Sequence, residues 1–226
     1  MRDAWKIWAG RPDKVWAWTA EHLEMVGIAC AIAIVIGVPL GIYISGRGRV
    51  REALADIVLY MAEIVMTIPS IALFGFLMAI LSSLDLPALG RLPSIIALVI
   101  YAQLPILRNT YTAIRGVDPA IIEAGRGMGM SERQLLFKVK LPLSFPVIMA
   151  GVRTSVVATI AIAAIAAIIG AGGLGMPIRW GLRQSRMDLI IVGAVTVSII
   201  GILADVLMHR VERWVTPKGL KRRAKS

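Results

Sequence analysis

Apolar residues run in long stretches along this chain, and polar and charged residues collect in the gaps between them. A helix that crosses a bilayer needs about 20 mostly apolar residues. Residues 25–45, 57–81, 92–110, 146–170 and 189–208 each meet that requirement, which predicts five membrane-spanning helices. The interval 113–142 has a different pattern. Asp118-Pro119 is a helix start, because an Asp N-cap accepts a backbone N–H and Pro at N1 gives up no hydrogen bond. Residues 120–126 then read as a short helix stopped by Gly127 and Gly129. Ser131-Glu132-Arg133-Gln134 reads as a capping box opening a second short helix, which Pro142 is expected to end.

The basic residues orient the spans. Arg47, Arg49 and Arg51 follow the first, and Arg108, Arg115, Arg126, Arg133, Lys138 and Lys140 follow the third. Arg210, Arg213, Lys218, Lys221, Arg222, Arg223 and Lys225 follow the fifth. With five alternating spans all three sets share one side, which the positive-inside rule makes cytoplasmic. The N-terminus is then outside and the C-terminus inside. Arg179, Arg183 and Arg186 in the fourth connection oppose this, but the cytoplasmic set is larger.

Composition narrows the class further. The 226 residues are 58% hydrophobic with a mean hydropathy of +0.76, too apolar for a soluble domain of this length. A net charge of +11 raises nucleic acid as a partner, but the cations sit between apolar runs and not along a soluble face. Nucleic-acid binding is excluded on that distribution. One membrane domain is expected: an interfacial segment 1–22, a permease-like body 23–212 and a basic tail 213–226. Charges through residues 2–14 interrupt any signal-peptide core. Trp5, Trp8, Trp16 and Trp18 suit headgroup-level anchors, or alternatively a cage for a cation. Gly10-Arg11-Pro12-Asp13 should break the segment into two short interfacial pieces, with Asp13 as an N-cap. There is no internal repeat, and five spans do not divide into inverted halves, so a symmetric pathway would need a second subunit.

A glycine-punctuated helical hairpin between two spans has a use if something docks on it. The run Glu123-Ala124-Gly125-Arg126-Gly127-Met128-Gly129, leading to Val139-Lys140-Leu141-Pro142, resembles the cytoplasmic EAA loop of importer-type ABC permeases. In that family Glu-Ala-Ala, a following Gly and an Ile-x-Leu-Pro form the seat for an ATPase subunit. Glu123, Ala124, Gly129, Leu141 and Pro142 fit; Gly125 replaces the third motif residue and Val139 the Ile. Further segments resemble the osmoprotectant branch, the permeases for glycine betaine, carnitine, choline and proline. These are Thr67-Ile68-Pro69-Ser70, the run from Leu104 to Thr112, the run from Ile168 to Gly175, and Val215-Thr216-Pro217-Lys218-Gly219-Leu220.

The resemblance implies an all-α membrane protein with the five-helix type I ABC importer permease (MetI-like) fold in a bacterial inner membrane. It further implies two ATPase subunits, a second permease copy or paralogue, a substrate-binding protein, and surrounding membrane lipid. ATP and Mg would be bound by the ATPases, and no cofactor by this chain, which has no P-loop sequence. Small residues Ala124, Gly125 and Gly129 would permit close approach, with Glu123 at the hinge.

Pathway or gate candidates are Glu63, Pro69, Gly170, Gly172, Gly173 and Gly175. Glu63 lies within an apolar run less than two turns before the helix-kinking Pro69, so it either lines a pathway or is a paired structural charge. The glycines satisfy G-x-G-x-x-G but follow an apolar helix, which suits a flexible external turn better than a dinucleotide site. Arg153 and Asp205 are expected to snorkel from their spans to the interface. The competing function is an ATP-independent channel or secondary carrier, which would leave the docking loop without a partner.

Overall fold

The computed structural model describes Gly10 and residues 12–215. Among the described residues nine α-helices follow one another: α1 Pro12–Ile44, α2 Arg49–Thr67, α3 Ser70–Ser83, α4 Arg91–Arg115, α5 Pro119–Gly127, α6 Glu132–Leu135, α7 Leu141–Ala163, α8 Gly175–Gln184 and α9 Met187–Val215. A π-helical turn, Leu136–Lys140, joins α6 to α7, and a 3-10 turn, Ile165–Ile169, follows α7. Among the described residues four helical stretches are long and apolar enough to cross a membrane, and α2 with α3 makes a fifth if that bent pair is one span.

Helix α4 is the central element, packed between α1 and α7. The sequence permits this with small residues at helical spacing. On α1, Ala29, Ala33, Gly37 and Gly41 recur every fourth position on the buried face. A β-carbon on Gly41 would lie 2.7 Å from Thr110 Cβ on α4. On α7, one on Gly151 would lie 2.5 Å from Asn109 Cβ. Where lipid removes the hydrophobic drive between helices, such close approach supplies the packing. Met25, Phe74, Leu98, Tyr101 and Ile160 fill the main core.

Three expectations change here. The first span has no boundary near residue 22, because α1 is one helix from Pro12. Its 33 residues extend about 50 Å, well beyond a hydrocarbon core. Residues 12–22 are therefore the first turns of that helix and not a separate piece. Val15 packs with Val192 of α9, and the Trp18 ring meets Trp180 edge-to-face at 5.6 Å, while Trp16 is exposed. Trp5, Trp8, the segment break at Arg11, and the basic tail from residue 216 lie outside the described residues.

The second expected span is bent by 106° between α2 and α3. The hydropathic run 57–81 is continuous, but Pro69 restricts Ile68 to an extended backbone and starts a new helix. Arg153 and Asp205, expected to snorkel separately, form a bidentate pair between α7 and α9. The Arg153 Nε donates to Asp205 Oδ1 at 2.6 Å and Nη2 to Oδ2 at 3.3 Å. Arg153 also reaches His209 Nδ1 at 3.0 Å and Glu212 at 3.6 Å.

Candidate coupling site and pathway residues

The loop between α4 and α7 is a folded unit with a core of its own. Asp118 caps α5 by accepting from the Ala120 N–H at 2.9 Å. Ser131 and Gln134 complete the capping box of α6: Ser131 Oγ accepts from the Gln134 N–H, and the Gln134 side chain accepts from the Ser131 N–H. Val117, Ile122 and Leu135 are buried together, with Met130, Val139 and Leu143 packed on them. Arg126 clamps the two short helices by donating to Glu132 at 2.6 Å. That guanidinium holds the Glu132 carboxyl below the usual carboxylate range. A hairpin fastened by caps, core and ion pair moves as one body.

The motif residues divide between the inside and outside of this unit. Glu123 and Ala124 are exposed, and the Glu123 carboxylate has no hydrogen bond or ion pair among the described residues. Ile121, Met128 and Phe137 add large exposed apolar side chains nearby in the chain. Gly125 is buried against Leu135 and Met130. Val139 and Leu141 are half-buried, the former in the loop core.

One expectation about the loop is corrected, and Gly129 has a backbone role of its own. Pro142 does not end a helix; it lies in the first turn of α7, just after the π-helical turn. Pro142 has no N–H to give to the turn before it, and the wider π-helical turn lets the helical path continue through it. Within the chain a β-carbon on Gly129 would meet nothing within 4 Å. Its φ of +78° is what calls for glycine, in the turn that sends the Met130 N–H back to the Gly125 carbonyl.

The pathway candidates fall into two places. Glu63 is half-buried on α2 and pairs with Arg108 of α4 at 2.6 Å, lining a cavity of about 490 Å³ with Asp56 and Tyr60. Pro69 stands at the α2–α3 bend, where the Tyr101 hydroxyl donates to the Ile68 carbonyl.

Gly170, Gly172, Gly173 and Gly175 form a turn that is fastened, not flexible. The Gly90 N–H donates to the Ile169 carbonyl beside Gly170 at 2.9 Å. The Gly173 N–H donates to Glu21 of α1 at 2.9 Å. Gly175 is pressed against Ala164, where a β-carbon would lie 1.9 Å from the carbonyl oxygen.

Sequence reasoning missed four partners in these networks. Glu21 and the fully buried His22, whose Nε2 bonds to the Ile160 carbonyl at 3.0 Å, tie α1 to the far end of α7 and the glycine turn. His209 and Glu212 join Arg153 and Asp205. A charge next to a His just ahead of an apolar run was the one local signal for the first pair. Arg153 and Asp205 carried a signal too, since charges inside spans seek partners.

Residues 37–217 match the family described as the binding-protein-dependent transport system inner membrane component. The chain belongs to this family. It is 46% identical over 203 residues to the osmoprotectant import permease protein OsmW of Salmonella typhimurium, covering 90% of this chain and 92% of that protein. It is 42% identical to the glycine betaine/carnitine/choline transport system permease protein OpuCB of Bacillus subtilis, covering 90% and 89%. Among solved structures it is similar to an inward-facing MetNI methionine ABC transporter chain, with a TM-score of 0.77, 25% identity, and coverage of 91% of this chain and 95% of that one. A bacterial alginate ABC transporter chain, at 16% identity and a TM-score of 0.66, shares the fold and covers 88% and 78%.

Proposed function

We propose that this chain is the transmembrane permease subunit of an ABC importer for an osmoprotectant of the glycine betaine, carnitine, choline or proline kind. The observation that carries this reading is the similarity to permeases of that branch over about nine-tenths of the chain. The chain is a non-catalytic membrane subunit. Transport is driven by ATP and Mg held on partner ATPases, and solute is delivered by a substrate-binding protein.

The geometry supports a mechanism for coupling. One ATPase subunit of the pair seats on the exposed Glu123-Ala124 face and the apolar residues Ile121, Met128 and Phe137. ATPase closure then moves the loop as a rigid body, because its caps and core leave little slack. That motion passes into α4 and α7, the helices continuous with its two ends. Two permease subunits about a twofold axis enclose the path, each with five spans counting the bent α2–α3 pair as one, N-terminus outside and C-terminus cytoplasmic.

A channel or secondary carrier would not need such a seat. Reconstituting the permease with and without its ATPase and binding protein tests the reading. Uptake of a labelled osmolyte only with all components and ATP is expected; uptake by the permease alone overturns it.

A further inference from the structure

A second feature of the loop region lies beside the docking face and shares the Arg126–Glu132 clamp with the hairpin. The ends of α1 and α4 and the α5–α7 segment enclose a cavity of about 470 Å³. Arg47, Arg51, Arg126, Arg133 and Lys140 line it, against the one carboxylate of Glu132. Five cations and one anion leave four positive charges in excess. Glu132 is already committed to Arg126 at 2.6 Å, and the Arg51 guanidinium stands over the Tyr43 ring at 5.1 Å. Arg47, Arg133 and Lys140 form no salt bridge with a carboxylate among the described residues, although Glu132 is close enough to attract Lys140 and Arg47. Lys140 precedes the apolar run that begins at residue 146; burial pushes its ammonium below the ordinary lysine value, the Glu132 carboxylate works against that shift, and Arg47, Arg126 and Arg115 add to it.

Such cations repel one another unless an anion sits between them. Gly46 keeps the wall thin enough for Arg51 to turn in, since a β-carbon there would lie 2.2 Å from Arg51 Nη1. The remaining wall is apolar: Ile42 from α1, Ile114 from α4 and Leu136 from the π-helical turn. These positions lie at the ends of spanning helices, where phospholipid phosphates reside. Arginine forks match phosphate oxygens bidentately, and basic pockets between spans suit lipid headgroups.

We propose that this pocket binds a phosphate-bearing anion, with the apolar wall favouring an anionic phospholipid headgroup over a free phosphate. The site is separate from the Glu123 face, and it does not depend on which solute is carried.

The test uses the full-length permease purified with its ATPase partner in mild detergent and stripped of lipid. Dioleoyl phosphatidylglycerol, dioleoyl phosphatidylcholine and inorganic phosphate are titrated separately, and bound ligand is counted by native mass spectrometry. Phosphatidylglycerol should be retained at least about tenfold over phosphatidylcholine. Arg47→Gln with Arg133→Gln and Lys140→Gln should weaken that retention roughly a hundredfold, and each single variant about fivefold, so a poorly folding triple variant leaves the singles to decide. Arg183→Gln with Arg210→Gln, exposed arginines outside the pocket, should change it by less than about twofold. Phosphate binding of equal strength in wild type, lost in the same variants, would place a soluble anion in the pocket. Wild-type retention by the pocket variants overturns the site. So does loss of the ATPase without loss of lipid, which would make this surface part of the ATPase seat.

Discussion

A β-carbon on Gly125 would lie 2.6 Å from Leu135 Cδ2, so the side chain absent at the third motif position is the space that Leu135 occupies. Leu135 is fully buried and anchors the loop core with Val117 and Ile122. The departure from Glu-Ala-Ala therefore has a partner ten residues along the chain, inside the same hairpin.

Gly125→Ala should consequently weaken the hairpin. Overpacking costs about 1–3 kcal/mol, offset by up to about 1 kcal/mol from alanine's better helix propensity. Adding Leu135→Val should recover much of the loss by shortening the side chain in the way. Thermal unfolding of the purified complex and ATPase retention check this. If Gly125→Ala behaves as wild type, the packing assigned to this pair is wrong.

Gly129 acts through its backbone. An L-residue in a left-handed conformation costs roughly 1–2 kcal/mol, and asparagine bears it best. Gly129→Asn should keep the fold and uptake, and Gly129→Val should lose both. Glu123→Lys should instead leave the fold intact and remove ATPase association, because that carboxylate has no partner within the described chain. Co-purification separates the two effects. Loss of the ATPase with a stable Gly129→Asn permease would show that the partner, and not φ, requires the glycine.

The Tyr101 hydroxyl caps the carbonyl of Ile68, which the break before Pro69 leaves outside the helical ladder. Hydrogen bonds of this kind in membranes contribute about 0.6 kcal/mol on average and up to about 1.7. Tyr101→Phe should lower the unfolding temperature by a few degrees and loosen the α2–α3 bend, raising cysteine accessibility at a Ser70→Cys probe. Unchanged accessibility would mean that Pro69 alone fixes the bend.

What the sequence revealed follows the range of each interaction. The Asp118 cap and the Ser131–Gln134 box are set within four residues, and both are where the pattern put them. The apolar runs marked the crossing helices, because hydropathy needs no partner. The bend at Pro69 was half legible: the proline was visible, but the unbroken hydropathy of 57–81 hid a 106° turn. The Gly173–Glu21 bond joins residues 152 apart, and no local pattern encodes it. Composition made that turn look loose, while the fold fastens it. Pro142 was misread because a π-helical turn, invisible to periodicity, moves the start of α7 to just before it.

The last expectation concerns selectivity, which should reside outside this chain. A quaternary ammonium is held best by several aromatic faces, each contributing roughly 0.5–2 kcal/mol when desolvated. The aromatics within the apolar runs are dispersed. Phe74 and Tyr101 are buried in the core, the latter with its hydroxyl bonded, and the Tyr43 face is taken by Arg51. Tyr60 and Phe76 are exposed singly. Glu63, the one acidic pathway candidate, is paired with Arg108, so it presents no free charge to a passing cation. A permissive path suits an importer whose affinity lies in a separate binding protein, because tight binding midway would slow release. Purified permease in nanodiscs should therefore bind betaine, choline, carnitine and proline no better than millimolar by calorimetry. Micromolar affinity for any of them, abolished by Glu63→Gln or Tyr60→Ala, would move selectivity into the membrane.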